Sequence, residues 1–420
     1  MPGVYLTAMR TRKFKTSMLS LSLMLPLREK TASQNAILPM VLHRGTARYP
    51  DMQQFSAALD QLYGAEVVTA VRKRGEVQCV GFQSVVIEDR YALGEEALLE
   101  EIAMLLGDLL LRPATKNGRF YSAYVDGERE NLLRRIRAKK NDKRAYARLR
   151  LIQEMCRKEA YGVDGLGSEA AASEITGPKL FAHYNKVLSG AKIELIYCGQ
   201  APYERVAQAI VAGLQGLPRD REQMVADTEL VRQPPDGSPR TVMEELDVSQ
   251  GRLALGYRTG TALWEESFPA LMVLNAALGG TVTSKLFSNV RERLSLCYDI
   301  GSTLEKGKGL MVISAGIAPE AYDMAMEEIL SQVDAAKRGD FSELELQSAR
   351  QMLVSALRGT MDSQGRLEDF YLGQIASSCI FGPEELADAI EQVTLEQVVA
   401  VAQAVRLDTV YFLKGKGDVQ

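Results

Sequence analysis

The sequence contains few of the residues from which most metal centres are built. Only two of its 420 residues are histidine, His43 and His183, and neither has a second histidine at helical spacing or a cysteine cluster beside it. This scarcity excludes a histidine-rich zinc site built from this chain alone, and with it a zinc-activated water. We expect both histidines to be ordinary surface or core residues.

Other absences narrow the class of protein further. No apolar run reaches the roughly 18 residues of a membrane helix, and a net charge of −4 gives no overall attraction to nucleic acid or to a membrane. The sequence has five cysteines, an odd number, and they are widely spaced without a CxxC pair. We therefore expect them to be buried thiols in a reducing cytoplasm. They are Cys79, Cys156, Cys198, Cys297 and Cys379.

The basic N-terminus and the apolar stretch 18–27 resemble a secretory signal in composition. Leucine nevertheless alternates with smaller or polar residues such as Ser20 and Ser22, and no small-x-small cleavage site follows closely. Alternation with a period of two predicts a half-buried strand over 17–27 instead.

Glycine and proline are concentrated at 216–240, which predicts a linker between an N-terminal lobe, 1–215, and a C-terminal lobe, 241–420. The lobes repeat one pattern: an opening strand, a helix, a hairpin, a second helix and a closing strand. We expect an α+β fold of two duplicated lobes, each an antiparallel sheet backed by helices, facing each other across a cleft. Thr176 and Thr394 are the predicted N-caps of the helices before the closing strands.

A long helical region, 128–158, carries twelve basic residues. Such a charge run is typical of a solvated helix face. A basic surface for an acidic substrate or partner is the alternative, and nucleic acid is disfavoured because aromatic residues are not interleaved before Tyr146.

Two segments carry motifs with a recognisable order. The first runs 35–46, an apolar stretch closed by Arg44-Gly45-Thr46, and the second runs 279–298, a glycine turn, a helix and a turn into a strand. Together they resemble the pitrilysin/insulinase family of zinc metallopeptidases, in its two-lobed bacterial and processing-peptidase branch. The resemblance covers nearly the whole chain.

The resemblance implies where the family's zinc motif, His-x-x-Glu-His, would fall. Its two histidines fall on Ala36 and Met40, its catalytic glutamate on Pro39, and the third ligand, a glutamate, on Arg135. None of these four residues replaces the ligand or base that is missing. We therefore expect no metal in this chain.

The second motif is intact, since Arg291 and Tyr298 match the family's arginine and tyrosine that contact peptide bound at the zinc. Both side chains carry donors that can hold a peptide carbonyl or stabilise charge developing on it. By contrast, Gly279-Gly280 lacks the spacing of a phosphate loop, and no Gly-x-Ser-x-Gly elbow supports a serine triad.

The sequence thus predicts a non-catalytic, peptidase-like subunit of a heterodimer. It binds peptide or unfolded protein and supplies Arg291 and Tyr298 to a homologous subunit that holds the zinc. The alternative is a purely structural or peptide-binding scaffold without a role in chemistry. A sheet edge in the hairpin 67–71 and 77–86 is the predicted place of peptide capture.

Overall fold

The computed structural model describes residues 1–220, 224–235, 237–248 and 250–415. Positions 221–223 and 236 of the predicted linker, and 249 and 416–420 of the predicted second lobe, lie outside the described residues. In the described part of the chain, no helix is both long enough and apolar enough to cross a bilayer.

The secondary structure repeats along the chain. The strands are β1 Val4–Arg10, β2 Thr16–Pro26, β3 Glu66–Arg74, β4 Val77–Ile87, β5 Thr115–Lys116, β6 Arg119–Phe120, β7 Lys192–Gly199, β8 Arg240–Leu246, β9 Gly251–Arg258, β10 Asp299–Glu305, β11 Leu310–Ile317 and β12 Arg406–Gly415. The helices are α1 Glu29–Leu42, α2 Met52–Gln61, α3 Leu98–Leu111, α4 Ser122–Ala138, α5 Lys143–Met155, α6 Glu169–Ser173, α7 Gly177–Gly190, α8 Tyr203–Gly213, α9 Phe268–Asn275, α10 Tyr322–Lys337, α11 Glu343–Thr360, α12 Gln364–Ile375, α13 Pro383–Glu391 and α14 Leu395–Ala404. Short 3₁₀ turns lie at Asp89–Tyr91, Ala160–Gly162 and Pro319–Ala321, and π-helical turns at Ala276–Gly280 and Phe287–Arg293.

Two five-stranded sheets share one topology. The first has the order β1-β7-β2-β4-β3 and the second β8-β12-β9-β11-β10. In each sheet the outermost pair, β1 with β7 or β8 with β12, is parallel, and the other pairs are antiparallel. The α+β class and the duplicated, mainly antiparallel sheets are therefore confirmed.

Strand β2 departs from the prediction of a half-buried strand. Every residue from Ser17 to Leu25 is buried, including Ser20 and Ser22. The strand is central, between β7 and β4, and helices cover both of its faces. Helix α12 lies against one of these faces, where Gln364 Nε2 donates to the carbonyls of Thr16 and Cys198 at 2.8 and 2.7 Å. Long-range packing, which a local periodicity does not encode, explains the difference.

The chain forms two compact units that differ from the predicted lobes in two segments. The first unit contains Met1–Arg137, Val163–Asp227 and Gln364–Leu372, and the second contains Ala138–Gly162, Thr228–Ser363 and Gly373–Gln420. Each unit thus includes a short stretch from the other half of the sequence.

The basic region 128–158 is two helices, α4 and α5, rather than one. Asp142 ends the break between them as the N-cap of α5, where its side chain accepts from the Ala145 N–H at 3.0 Å. Many of the basic side chains form ion pairs, such as Arg137 with Glu169 and Arg150 with Glu154 and Glu244.

The two predicted threonine caps differ. Thr394 forms a capping box with Gln397 at the start of α14. Thr176 precedes α7 in an extended conformation, but its side chain makes no capping hydrogen bond. Thr176 is therefore the N-cap residue, as predicted, but without the expected hydrogen bond from its hydroxyl, and Pro178 near the start of α7 supplies the preset backbone angle.

Candidate functional site

The positions of the lost zinc motif lie on α1 in the core of the first unit. From Ala32 to Leu42 most of the helix is buried, and Ala36 is completely enclosed. Pro39 lies inside the helix, where it has no N–H to donate to the carbonyl of Asn35. This segment therefore provides hydrophobic packing and neither a metal ligand nor a proton acceptor.

Arg135 of α4 points at this helix. Its Nη1 lies 3.7 Å from the thioether sulfur of Met40, while the residue itself remains exposed. The structure thus brings Met40 and Arg135 together, as the zinc motif would require of their counterparts. A guanidinium beside a thioether repels a divalent cation, so this pair cannot hold zinc.

Arg44, which follows the zinc-motif positions of α1, is paired with Glu128 of α4, seven residues before Arg135. Arg44 Nε donates to Glu128 Oε1 at 2.5 Å, and Asn131 Nδ2 donates to Oε2 of the same carboxylate at 3.0 Å. Glu128 is buried and both of its oxygens are occupied. This pairing was missed from the sequence, although Arg44 belongs to the first motif. Their 84-residue separation left no local signal.

The two histidines have structural roles in the first unit. His43 Nε2 lies 2.8 Å from the Val67 carbonyl of β3, and its ring packs edge-to-face on Phe55. Burial lowers the pKa of His43. His183 Nε2 lies 2.6 Å from Asn35 Oδ1. Among the described residues, no group of three or more His, Cys, Asp or Glu side chains could hold a metal.

The intact motif lies in the second unit on an irregular segment. Arg291 belongs to the π-helical turn Phe287–Arg293, a conformation that is frequent at functional sites. Its guanidinium stacks on the Phe287 ring, 4.6 Å from the centroid. Its Nε lies 3.8 Å from Oε1 of Glu292, and 41% of the side chain is exposed. The stacking orients the guanidinium while leaving its N–H donors available.

Tyr298 follows at the entrance to β10. Ser295 has a positive φ of 52°, which turns the chain back, and the Leu296 N–H bonds the Val290 carbonyl at 3.0 Å. The Tyr298 N–H then bonds the Gly316 carbonyl at 2.8 Å, which fixes its backbone to β11. The side chain is 60% exposed. A non-glycine residue at positive φ is strain of the kind that accumulates at binding sites.

The structure gives Gly279 a packing role. A Cβ at this position would lie 2.7 Å from the Ser302 nitrogen and hydroxyl, too close to be accommodated without backbone movement. Gly280 has no such restriction, since its nearest neighbours would be at 3.5 Å. Gly279 therefore allows β10 to approach the π-helical turn.

The chain is similar to several known proteins. A family model described as "Peptidase M16 inactive domain" matches residues 174–353. The chain is 33% identical to a "Probable inactive metalloprotease YmfF" of Bacillus subtilis over 98% of this chain and 96% of that protein. It is 27% identical to an "Uncharacterized zinc protease" of Mycobacterium tuberculosis over 71% of this chain and 67% of that protein. A conserved protein from Enterococcus faecalis superposes with a TM-score of 0.91 at 26% identity, covering 100% of this chain and 98% of that one.

These similarities define a peptidase-like protein with two five-stranded sheets. The chain belongs to the M16 family of metallopeptidases, as the motifs had predicted, and it is an inactive, peptidase-like member of that family.

Proposed function

We propose that this chain acts as the non-catalytic subunit of a zinc endopeptidase, binding peptide and supplying Arg291 and Tyr298 to a zinc-bearing homologous subunit. The observation that carries the proposal is a contrast between the two motifs. The zinc positions have become packing residues beside a cation, while Arg291 and Tyr298 keep exposed donors on a strained, oriented segment.

Other arginines of the second unit differ from Arg291 because they form close ion pairs within the fold. Arg258 is completely buried and paired with Glu159 and Asp408, and Arg252 donates to Asp299 at 2.6 Å. These arginines stabilise the fold. Within the described residues Arg291 has no comparable partner, so its substitution is expected to have little effect on folding.

Peptide binding is proposed at the edge of the first sheet. Strand β3 is the outer strand of that sheet, so its outward backbone groups can pair with an extended peptide. Val68 on this strand is half exposed, and His43 already occupies the carbonyl of Val67. A peptide would therefore pair with the remaining part of the strand.

The proposed subunit is cytoplasmic. All five cysteines are free, and four of them are buried, which supports a reducing compartment.

The test is steady-state kinetics on this chain co-purified with a zinc-bearing M16 homologue from the same organism. Arg291→Ala should lower turnover by about 100- to 1000-fold, the usual cost of removing one donor to developing negative charge. Tyr298→Phe should cost less, because only a neutral hydroxyl is lost. Arg293→Ala is the matched control, because Arg293 is exposed on the same turn and pairs with Glu328.

The control variant should leave turnover and assembly unchanged. Full activity in the Arg291→Ala/Tyr298→Phe double variant would instead favour the scaffold alternative, in which the chain holds peptide or its partner without contributing to chemistry. Failure of the two chains to assemble would contradict the proposal altogether.

A further inference from the structure

The first unit contains a cavity of about 130 Å³ beside the N-terminal half of α1. Arg28, Thr31 and Asn35 line it, and their spacing of three and four residues places them on one face of the helix. Ala36 and Met40 of the zinc motif lie on a different face. The cavity is therefore separate from the candidate site described above.

The polar floor of the cavity is held rigidly. Asn35 Nδ2 donates to Gln78 Oε1 at 2.8 Å, and Gln78 Nε2 in turn donates to the carbonyls of Ala32 and Gly165. Asn35 thus presents its Oδ1 to His183, so the Nε2 of His183 donates and its Nδ1 carries no proton in the neutral form. Burial, with a contribution from Lys186, lowers the pKa of His183 to about 4, and the ring is neutral at pH 7.

The rim is cationic and the walls are apolar. Arg28 and Lys186 are exposed at the rim, and neither forms an ion pair within the part of the chain that the structure describes. Leu25, Val187 and Met224 provide apolar wall surface. The combination of two unpaired positive charges with an apolar interior suits an anion that has a short hydrocarbon body.

The volume of the cavity limits the number of atoms that a ligand can have. A protein cavity of roughly 150 Å³ holds a molecule as large as benzene, so about six or seven non-hydrogen atoms fit here. A carboxylate on a short branched chain has this size, and its charge complements the rim.

We propose that this cavity binds a short aliphatic carboxylate, with the carboxylate between Arg28 and Lys186 and the hydrocarbon against Leu25, Val187 and Met224. The same chemistry is present in a free short-chain acid and at the carboxyl terminus of a peptide that ends in leucine. The site requires neither zinc nor a partner subunit, and it is independent of the function proposed for Arg291 and Tyr298.

The experiment is a titration of the full chain with 3-methylbutanoate at pH 7, followed by calorimetry and by the ring signals of the histidines. Because the chain has only two histidines, His43 is an internal reference for His183. We expect saturable binding in the millimolar range or tighter, as is usual for so small a ligand. The His183 signal should shift while the His43 signal stays, and the pKa of His183 should rise in the complex.

Three comparisons make the test specific. The neutral isostere 3-methylbutanamide should bind at least about tenfold more weakly, because it lacks the charge that both cations contact. Binding of 3-methylbutanoate to the Lys186→Gln variant should also be about tenfold weaker, because one of the two charge-assisted contacts is lost. Lys179→Gln is the matched control, since Lys179 is exposed on the same helix outside the cavity. Titration with Ala-Ala-Leu distinguishes a peptide terminus from a free acid as the source of the carboxylate.

Lack of a saturable His183 shift with either carboxylate up to about 50 mM, well above the expected range, would overturn the proposal. Equal binding of the amide, or equal loss in the Lys186 and Lys179 variants, would overturn it as well. Thermal unfolding of both variants checks that neither has lost its fold.

Discussion

Ala138–Gly162, here called the exchanged segment, comes from the first half of the sequence but belongs to the second unit. A buried ionic cluster in that unit tests which interactions attach the segment to it. Glu159, near the end of this segment, lies 2.6 Å from Arg258 Nη2 and 2.7 Å from Lys308 Nζ. Arg258 and Lys308 are completely buried, and Asp408 is the second carboxylate, 2.7 Å from Arg258 Nε. Two cations and two anions therefore balance in the interior.

Glu159→Gln removes one negative charge from this balance and leaves two buried cations with one carboxylate. Breaking a buried pair costs about 3–5 kcal/mol, since the remaining charge is uncompensated. Glutamine keeps one acceptor oxygen, and backbone carbonyls still receive Arg258 and Lys308. We therefore expect the lower end, about 3 kcal/mol of unfolding free energy.

The assay is urea unfolding followed by circular dichroism, combined with amide hydrogen exchange of residues 138–162. Glu391→Gln is the matched control in the same unit, because Glu391 and Arg358 form an exposed pair at 3.2 Å with side chains 46% and 58% accessible. Its cost should be below about 1 kcal/mol. Glu159→Gln with Lys308→Met should recover part of the loss, because the uncompensated cation is gone.

An equal cost for Glu159→Gln and Glu391→Gln would refute this reasoning. Strictly additive effects in the double variant would refute it too, since they would mean that Glu159 and Lys308 do not interact.

Three further predictions follow from other contacts. Mass-spectrometric metal analysis should find no stoichiometric zinc in the purified chain, nor in Ala36→His/Pro39→Glu/Met40→His while Arg135 remains. Addition of Arg135→Glu should permit zinc binding, and zinc in the native chain would contradict the site described here. Burial raises the pKa of Glu244, but the hydrogen bonds from Tyr146, Tyr411 and Arg150 outweigh it, so the pKa lies below its ordinary value. Its stabilisation is thus present above the ordinary glutamate pKa of the unfolded state and is lost as the pH falls through the lower pKa of the folded state. Urea midpoints should fall less steeply with acid in Glu244→Gln, and parallel curves would argue against this role. Limited proteolysis should cut first within the predicted linker, 216–240, and the two fragments should co-elute in gel filtration because each unit contains residues from both. First cleavage inside α3 or β7 would contradict the boundary.

The elements predicted best from sequence are those whose signal is local. Helices α3, Leu98–Leu111, and α10, Tyr322–Lys337, are the second helices of the pattern predicted for the two lobes. The duplication also emerged from local patterns, since each half repeats its order of strands and helices. The break between α4 and α5 was missed although Asn141 and Asp142 are a recognisable cap signal.

What the sequence could not provide depends on contacts between distant residues. Burial of both faces of β2 requires α12, which lies about 340 residues further along the chain. The contact between Arg135 and Met40, and the chain from Gln78 through Asn35 to His183, likewise join separate elements. The residues at the motif positions predicted that zinc ligands are missing. Only the structure shows that these residues are packed in the core and that Arg135 contacts Met40.

The exchanged segment has a consequence for synthesis of the protein on the ribosome. Leu151, Ile152 and Met155 of α5 are buried in one core with Leu310 and Tyr411. At about 5–20 residues per second, the final strand β12 emerges roughly 10–50 s after α5. β9 and β11 emerge earlier, so during that interval the apolar face of α5 is covered by an incomplete sheet that lacks Tyr411 and Leu413, and part of this face stays exposed. Slowing translation between α5 and β12 should therefore increase aggregation of this chain, whereas the same delay after β12 should not.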